Sequence, residues 1–166
     1  MQERKKSIHT AMKLAIIAGL YVVLTYALNF ISYGEIQFRI AEILMLLCFF
    51  NKKYSIALIL GCFIANLFSP YGLPDIIFGT LATIVACFGL SLFKGKFMWL
   101  ASLCVPLGNI IVGVEIALVN SLPFDAAVLA TLGVLFGEFV VVSLIGVPLF
   151  KWLMKNEKFK EMILDI

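Results

Sequence analysis

Charged residues are scarce in this sequence, at 14% of its 166 residues, and long runs contain no lysine or arginine at all. Hydrophobic residues make up 63%, against roughly 45–50% in soluble domains. Too little polar sequence is present to cover a globule in water. The composition therefore predicts a membrane protein, folded as a single transmembrane substrate-binding domain over residues 1–166.

Motifs for nucleotide, metal and nucleic-acid chemistry are also missing. The chain has no GxxxxGK[ST] phosphate loop and no HExxH motif, which excludes ATP hydrolysis and zinc chemistry by those routes. Its four cysteines lie far apart in apolar segments without CxxC spacing, which predicts packing roles. No basic stripe with interleaved aromatic residues is present. We therefore expect no metal, no cofactor and no nucleic-acid partner, and no enzymatic activity, since no nucleophile–base set is visible.

The positive charges that are present fall into four groups. Twelve of the thirteen lie near the two ends of the chain or in two short lysine pairs, Lys52/Lys53 and Lys94/Lys96. This is the positive-inside pattern of a multi-pass membrane protein, with both termini in the cytoplasm. A secretory signal is the alternative for the N-terminal segment, but no small-residue cleavage site follows it, so a retained helix is expected. Arg39 is the one exception to the pattern.

Six apolar runs are separated by these charges and by turns rich in Gly, Pro and Ser. About 20 apolar residues are needed to cross the hydrocarbon core. The sequence therefore predicts an all-α bundle of six transmembrane helices, the second and third of them short. The predicted spans are Ala11–Ile31, Gln37–Phe50, Tyr54–Phe68, Asp75–Phe93, Phe97–Asn120 and Ala126–Met154.

Charged residues inside these runs are the candidate functional residues. Each costs roughly 2.5–3.5 kcal/mol near the centre of a membrane helix. Arg39 and Glu42 are three residues apart, which predicts a shared helix face and leaves a self-satisfying ion pair as one interpretation. Glu115 and Glu138 have no basic partner in the sequence nearby. The excess of acid predicts a cavity for a ligand with N–H donors or a positive charge; protonated, uncharged Glu is the alternative.

Smaller signals surround these acids. Asp75 begins a face of small residues that continues through Gly79, and close helix packing explains the small residues but not the acid. Asn66 and Asn109 are isolated amides in apolar helices, each either a bond between helices or a ligand contact.

Two segments carry a family resemblance. The stretch GEIQFRIAE, residues 34–42, and the stretch ANLFSPYGLPD, residues 65–75, followed by FGTLAT, resemble the QueT family. Members of this family are identified as substrate-binding S components of energy-coupling factor (ECF) transporters in bacterial cell membranes. The resemblance implies a six-helix bundle that binds a ligand near its outer face. It also implies docking on a transmembrane coupling subunit that carries two cytoplasmic ATPases.

The same resemblance implies the ligand and the docking surface. The ligand is a queuosine precursor, such as 7-aminomethyl- or 7-cyano-7-deazaguanine, whose guanine edge offers adjacent N–H donors to a carboxylate. S components dock through an Ala-xxx-Ala face of the first helix, and Ala11 and Ala15 match that spacing. The substrate-binding residues expected for this chain are Gln37, Arg39, Glu42, Asn66, Tyr71, Asp75, Asn109, Glu115 and Glu138.

Two alternatives stay open beside this interpretation. The first is that the chain is an S component for another vitamin, because S components share an architecture while binding unlike ligands. Alternatively, it is an autonomous proton-coupled carrier that uses Glu115 or Glu138 as its proton site.

Overall fold

The computed structural model describes residues 2–32, 38–93 and 96–166, and all regular structure in these ranges is helical. We number the principal helices in chain order. They are α1 (Gln2–Ala27), α2 (Ile40–Phe50), α3 (Tyr54–Asn66), α4 (Asp75–Leu92), α5 (Met98–Val119), α6 (Phe124–Leu153) and α7 (Glu157–Leu164).

Four of these helices are long and apolar enough to cross a bilayer: α1 from Lys6 onward, α4, α5 and α6. Their positions match four of the predicted spans to within a few residues, except that α1 begins well before Ala11. Large apolar side chains cover their outer faces, as expected of surfaces that meet lipid.

The two remaining apolar helices are short, as predicted. α2 is a seven-residue 3₁₀ helix (Ile40–Leu46) followed by one α-helical turn, and together they extend about 20 Å. It starts at Ile40, not at Gln37, and Gln37 lies outside the described residues. No residue of α2 is fully exposed, and only Ile40, Ile43, Leu44 and Phe50 are partly so. A helix largely covered by its neighbours has little need to span the hydrocarbon by itself.

Successive helices run in opposite directions. The residue before α2, Arg39, approaches Asp75 at the start of α4, while Cys48 near the end of α2 contacts Cys87 near the end of α4. α2 and α4 are therefore parallel. The last residue of α3, Asn66, contacts Asp75, so α3 runs the other way between them. We call the end of the bundle that holds Asp75 the Asp75 end.

The opposite end is closed by the amphipathic helix α7, and we call it the α7 end. Its buried residue Ile163 accepts a hydrogen bond through its carbonyl from the hydroxyl of Tyr54, at 3.0 Å. Lys13 and Lys53 donate to carbonyls at the C-terminal end of α7, where the helix dipole favours positive charge. The N-terminal part of α1 and the C-terminal helix consequently lie together.

Small residues set the distances between the helices. A Cβ on Gly61 of α3 would lie 3.0 Å from the Ala18 carbonyl of α1. On Gly113 of α5, a Cβ would lie 2.6 Å from the Cα of Thr131 in α6. Such close approaches are typical of packing between membrane helices. They draw the polar residues of neighbouring helices within reach of one another.

Candidate binding site

Buried polar residues from all six apolar helices meet toward the Asp75 end. Each is at most 2% exposed. We call this group the polar cluster, and it comprises Tyr21, Arg39, Glu42, Asn66, Asp75, Glu115 and Glu138. Ionisable groups at this depth are costly in a membrane and mark functional sites by default.

Asp75 connects the cluster to the segment between α3 and α4. One of its carboxylate oxygens lies 3.7 Å from the guanidinium of Arg39. The other accepts a hydrogen bond from the hydroxyl of Ser69. The amide of Asn66 donates to the backbone carbonyl of Asp75 at 2.9 Å. The connection that carries Ser69 is thereby fastened to the buried ion pair.

Glu42 is held by α1, not by Arg39. The hydroxyl of Tyr21 donates to its carboxylate. Arg39 has an extended backbone just before the 3₁₀ helix, with φ −77° and ψ 91°, so the predicted sharing of one helix face is wrong. The interpretation of Arg39 and Glu42 as a self-satisfying pair is also wrong, because the ion pair of Arg39 is with Asp75.

Glu115 and Glu138 are the least satisfied acids of the cluster. Their four carboxyl oxygens are buried, and within the described residues they meet no hydrogen-bond donor. Glu115 lies close enough to the Asp75 carboxyl for the two to share a proton, and it also interacts with Arg39. Glu138 interacts with Glu42 and Arg39. Buried polar atoms in native proteins almost always have partners. A ligand, water or protons must therefore complete this part of the site.

The backbone is irregular beside the cluster. Asp75 opens a π-helical segment that ends at Gly79, and Glu138 immediately precedes a second one, Phe139–Gly146. Arg39 precedes the long 3₁₀ helix. π-Segments often occur at functional sites, and 3₁₀ stretches of this length are uncommon.

A cavity of about 520 Å³ opens at the Asp75 end between α5 and α6. Ile116 in its wall directly follows Glu115 of the polar cluster along α5. Polar groups line its outer part, contributed by Tyr71 and Asn120. The lining residues are Tyr71, Ile116, Asn120, Leu122, Ala126, Leu129, Ala130 and Gly133.

The structure brings together six of the nine predicted site residues. Tyr71 lies at the cavity, next to them. Asn109 is buried where α5 is interrupted, and among the described residues its side chain makes no hydrogen bond to the cluster. Asn66 acts as a bond between helices through its amide nitrogen, while its oxygen has no partner in the described chain. A Cβ on Gly79 would lie 2.6 Å from that same amide nitrogen.

Three polar residues at the candidate site were not predicted from the sequence. Tyr21 is one of them, and both it and Thr25 are buried polar residues of the apolar helix α1. Their spacing of four residues was the signal that could have found Tyr21. Ser69 lies in a predicted turn and Asn120 at the end of the predicted span Phe97–Asn120, and polar residues are ordinary at both kinds of position. Nothing in the sequence distinguishes these two from other residues near turns.

The predicted docking residues lie on the outside of the bundle. Ala11 and Ala15 are exposed, and so is Gly19 four residues further on. Ala18, which lies beside them at helical spacing, is buried against α3. The exposed small residues of α1 therefore border the face that packs into the bundle.

Comparisons with known proteins agree with the sequence resemblance. The family model described as QueT transporter matches residues 11–155. A relative from Lactococcus lactis subsp. cremoris, named "Queuosine precursor transporter QueT", is 43% identical over 102 residues. That alignment covers 58% of this chain and 60% of the relative. No solved structure matches the chain significantly. With nearly its whole length inside the family model, the chain belongs to the QueT transporter family.

Proposed function

We propose that the chain is the membrane-embedded S component of an ECF importer that captures a queuosine precursor of the 7-deazaguanine class. In this proposal six helices span a bacterial cell membrane and both termini are cytoplasmic. The observation that carries the proposal is the buried acidic cluster, in which the carboxyl oxygens of Glu115 and Glu138 have no hydrogen-bond partner within the described chain. The family match and the name of the L. lactis relative support the choice of ligand.

The chemistry of the cluster suits this ligand. Two adjacent N–H groups on the guanine edge fit the two oxygens of one carboxylate, and charge-assisted bonds of this kind are strong. Glu115 and Glu138 each offer such a pair of oxygens. The other acid would receive an aminomethyl cation. Arg39 and the unpartnered oxygen of Asn66 would meet the remaining polar edge of the base, and Tyr71 would stack on the ring.

The placement of charge supports the proposed topology. Alternating helix directions put Lys13, Lys53 and α7 at one end, and the polar connections that follow α3 and α5 at the other. The positive-inside rule then assigns the α7 end to the cytoplasm. The ligand would enter from outside through the cavity at the Asp75 end.

The exposed small residues of α1 suggest where a partner protein would dock. Ala11 and Ala15 expose a surface on which another membrane helix can approach closely. We propose that a transmembrane coupling subunit docks there and that its two cytoplasmic ATPases supply the energy. The chain itself would then tilt as a body in the membrane to release the ligand inward.

The test of ligand binding is calorimetric titration of the purified chain in detergent with 7-aminomethyl-7-deazaguanine, 7-cyano-7-deazaguanine and guanine. We expect one of the two precursors to bind more than 100-fold tighter than guanine. Glu115→Gln and Glu138→Gln should weaken that binding at least tenfold. Glu161→Gln, the same change at an exposed position on α7, is the matched control. Equal binding by all four proteins would show that the cluster is structural.

A docking test separates the coupling subunit from the ligand site. Leucines at Ala11 and Ala15 should abolish uptake of the labelled precursor in cells while leaving calorimetric binding unchanged. Ala27→Leu is the control, since Ala27 is also exposed and lies at the far end of the same helix. Uptake that survives the double replacement would exclude this face as the docking surface.

The competing function is a proton-coupled carrier, favoured by the two unpartnered acids. Proteoliposomes that contain only this chain discriminate between the two. A carrier accumulates the precursor under a pH gradient, whereas an S component binds it without turnover.

A further inference from the structure

The site holds far more acid than base. Four carboxylates, those of Glu42, Asp75, Glu115 and Glu138, lie within it, and Arg39 is the one cation among the buried residues that the structure describes. With every carboxylate ionised the cluster would carry three excess negative charges. Desolvated charges without partners neutralise by taking up protons instead of persisting. The empty site therefore has to contain protons.

Contacts narrow down which acids hold these protons. Asp75 has the guanidinium of Arg39 and the hydroxyl of Ser69, and Glu42 has the hydroxyl of Tyr21. Both have donors that stabilise an ionised carboxylate. Glu115 and Glu138 have no donor within the described chain, and each interacts with a further carboxylate.

Among the described residues, the charged groups that interact with these two acids belong to the polar cluster. Around them, α1 contributes Tyr21, the segment at the start of α2 contributes Arg39 and Glu42, and α4 contributes Asp75. Cys62 of α3 interacts with Tyr21 and Arg39. The Asn66 amide oxygen and the hydroxyls of Thr25 and Thr80 are also buried without hydrogen-bond partners in the described chain. None of these groups supplies a second positive charge.

We propose that the ligand-free site is protonated on Glu115 or Glu138 and that a cationic ligand takes the place of one proton when it binds. The O–H bond of the carboxylic acid breaks, the proton passes to the solvent, and the carboxylate accepts N–H bonds from the ligand's ammonium group. The charge of the buried site stays constant through the exchange. The inference rests on the proposed function for the identity of the ligand only, and not for the protonated state itself.

Exchange of this kind explains how one membrane-embedded site can be stable both empty and occupied. If Glu115 and Glu138 were both ionised before the ligand entered, the empty site would hold unpaired buried charges. That state would cost too much free energy to persist. A neutral ligand, by contrast, would bind without displacing a proton. The number of protons released therefore reports the charge of the ligand that the site selects.

The test is calorimetric titration at one pH in phosphate and in Tris, two buffers with different enthalpies of ionisation. The dependence of the observed heat on the buffer enthalpy gives the protons released per ligand. We expect about one for 7-aminomethyl-7-deazaguanine, from the exchange of one ammonium for one proton, and none for the 7-cyano compound. Tight binding of the aminomethyl compound without proton release would overturn the inference while leaving the proposed function intact.

A second measurement needs no ligand. The ligand-free protein should show the infrared C=O stretch of a protonated carboxylic acid at neutral pH. One of the two variants Glu115→Gln and Glu138→Gln should lose that band, and the exposed control Glu161→Gln should keep it. If neither precursor binds but the band is present, the proposed ligand is wrong and the protonated site stands. A spectrum without the band would refute the protonated site, whatever the ligand.

Discussion

Arg39, just before α2, forms an ion pair with Asp75, the first residue of α4, with 3.7 Å between the guanidinium nitrogen and the carboxylate oxygen. Both side chains are almost completely buried. The pair lies at one end of these parallel helices, and the contact between Cys48 and Cys87 lies near the other. α2 is thus attached to α4 at two points along its length. The polar cluster lies at the first of them.

Removing one member of this pair should destabilise the protein strongly. Asp75→Asn leaves Arg39 without its carboxylate, and breaking a buried ion pair in this way costs about 3–5 kcal/mol. We expect a markedly lower melting temperature in detergent. The double variant with Arg39→Gln should lose less than the sum of the two single variants. Strict additivity in this double-mutant cycle would show that the pair contributes nothing.

The bond from Tyr21 to Glu42 should matter more than its single hydroxyl suggests. Tyr21→Phe removes the donor and leaves the buried Glu42 carboxylate without this hydrogen bond. Loss of a hydrogen bond to a charged group lowers the free energy of unfolding by about 1.5–3 kcal/mol. We also expect weaker ligand binding, because Glu42 borders Glu138. Tyr26→Phe, five residues along the same helix and 61% exposed, is the control. Identical stability of the two variants would argue against the bond.

The crossing of α5 and α6 at Gly113 should not tolerate a methyl group. The added Cβ would meet the backbone of Thr131 at 2.6 Å, so whole helices would have to separate. Overpacking of this kind costs about 1–3 kcal/mol. Gly19→Ala is a matched control with nothing within 4 Å, and it should be neutral or stabilising by up to about 1 kcal/mol. Thermal unfolding of both variants checks the prediction, and a stable Gly113→Ala protein would contradict the packing.

Oxidation should join α2 to α4. The sulfur atoms of Cys48 and Cys87 lie 3.4 Å apart, and Cys87 also lines an open groove beside Lys52. With Cys62 and Cys104 replaced by alanine, treatment with copper phenanthroline should produce a disulfide, visible as the loss of two hydrogens by mass spectrometry. The alternative pair, with only Cys62 and Cys104 retained, is the control and should stay reduced. Unreacted thiols in the first protein would place the two helices further apart.

Local sequence was sufficient for the membrane class, the approximate positions of the helices and all four acidic residues of the polar cluster. Hydropathy and lysine placement act residue by residue, and a buried charge in an apolar run is conspicuous without any knowledge of its neighbours. For the same reason the sequence predicted Glu115 and Glu138 as site residues, and the structure places both in the cluster.

Partners were decided only by the tertiary structure. The sequence left a pair of Arg39 with Glu42 as one interpretation because helical spacing was the available guide, and the extended backbone at Arg39 invalidated that spacing. Asp75, 36 positions further along the chain, became its partner because α2 and α4 lie side by side. The burial of α2 and the role of Tyr21 arose in the same way. Hydropathy shows which residues avoid water or lipid. Which group pairs with a buried polar residue depends on helices brought together from distant parts of the chain.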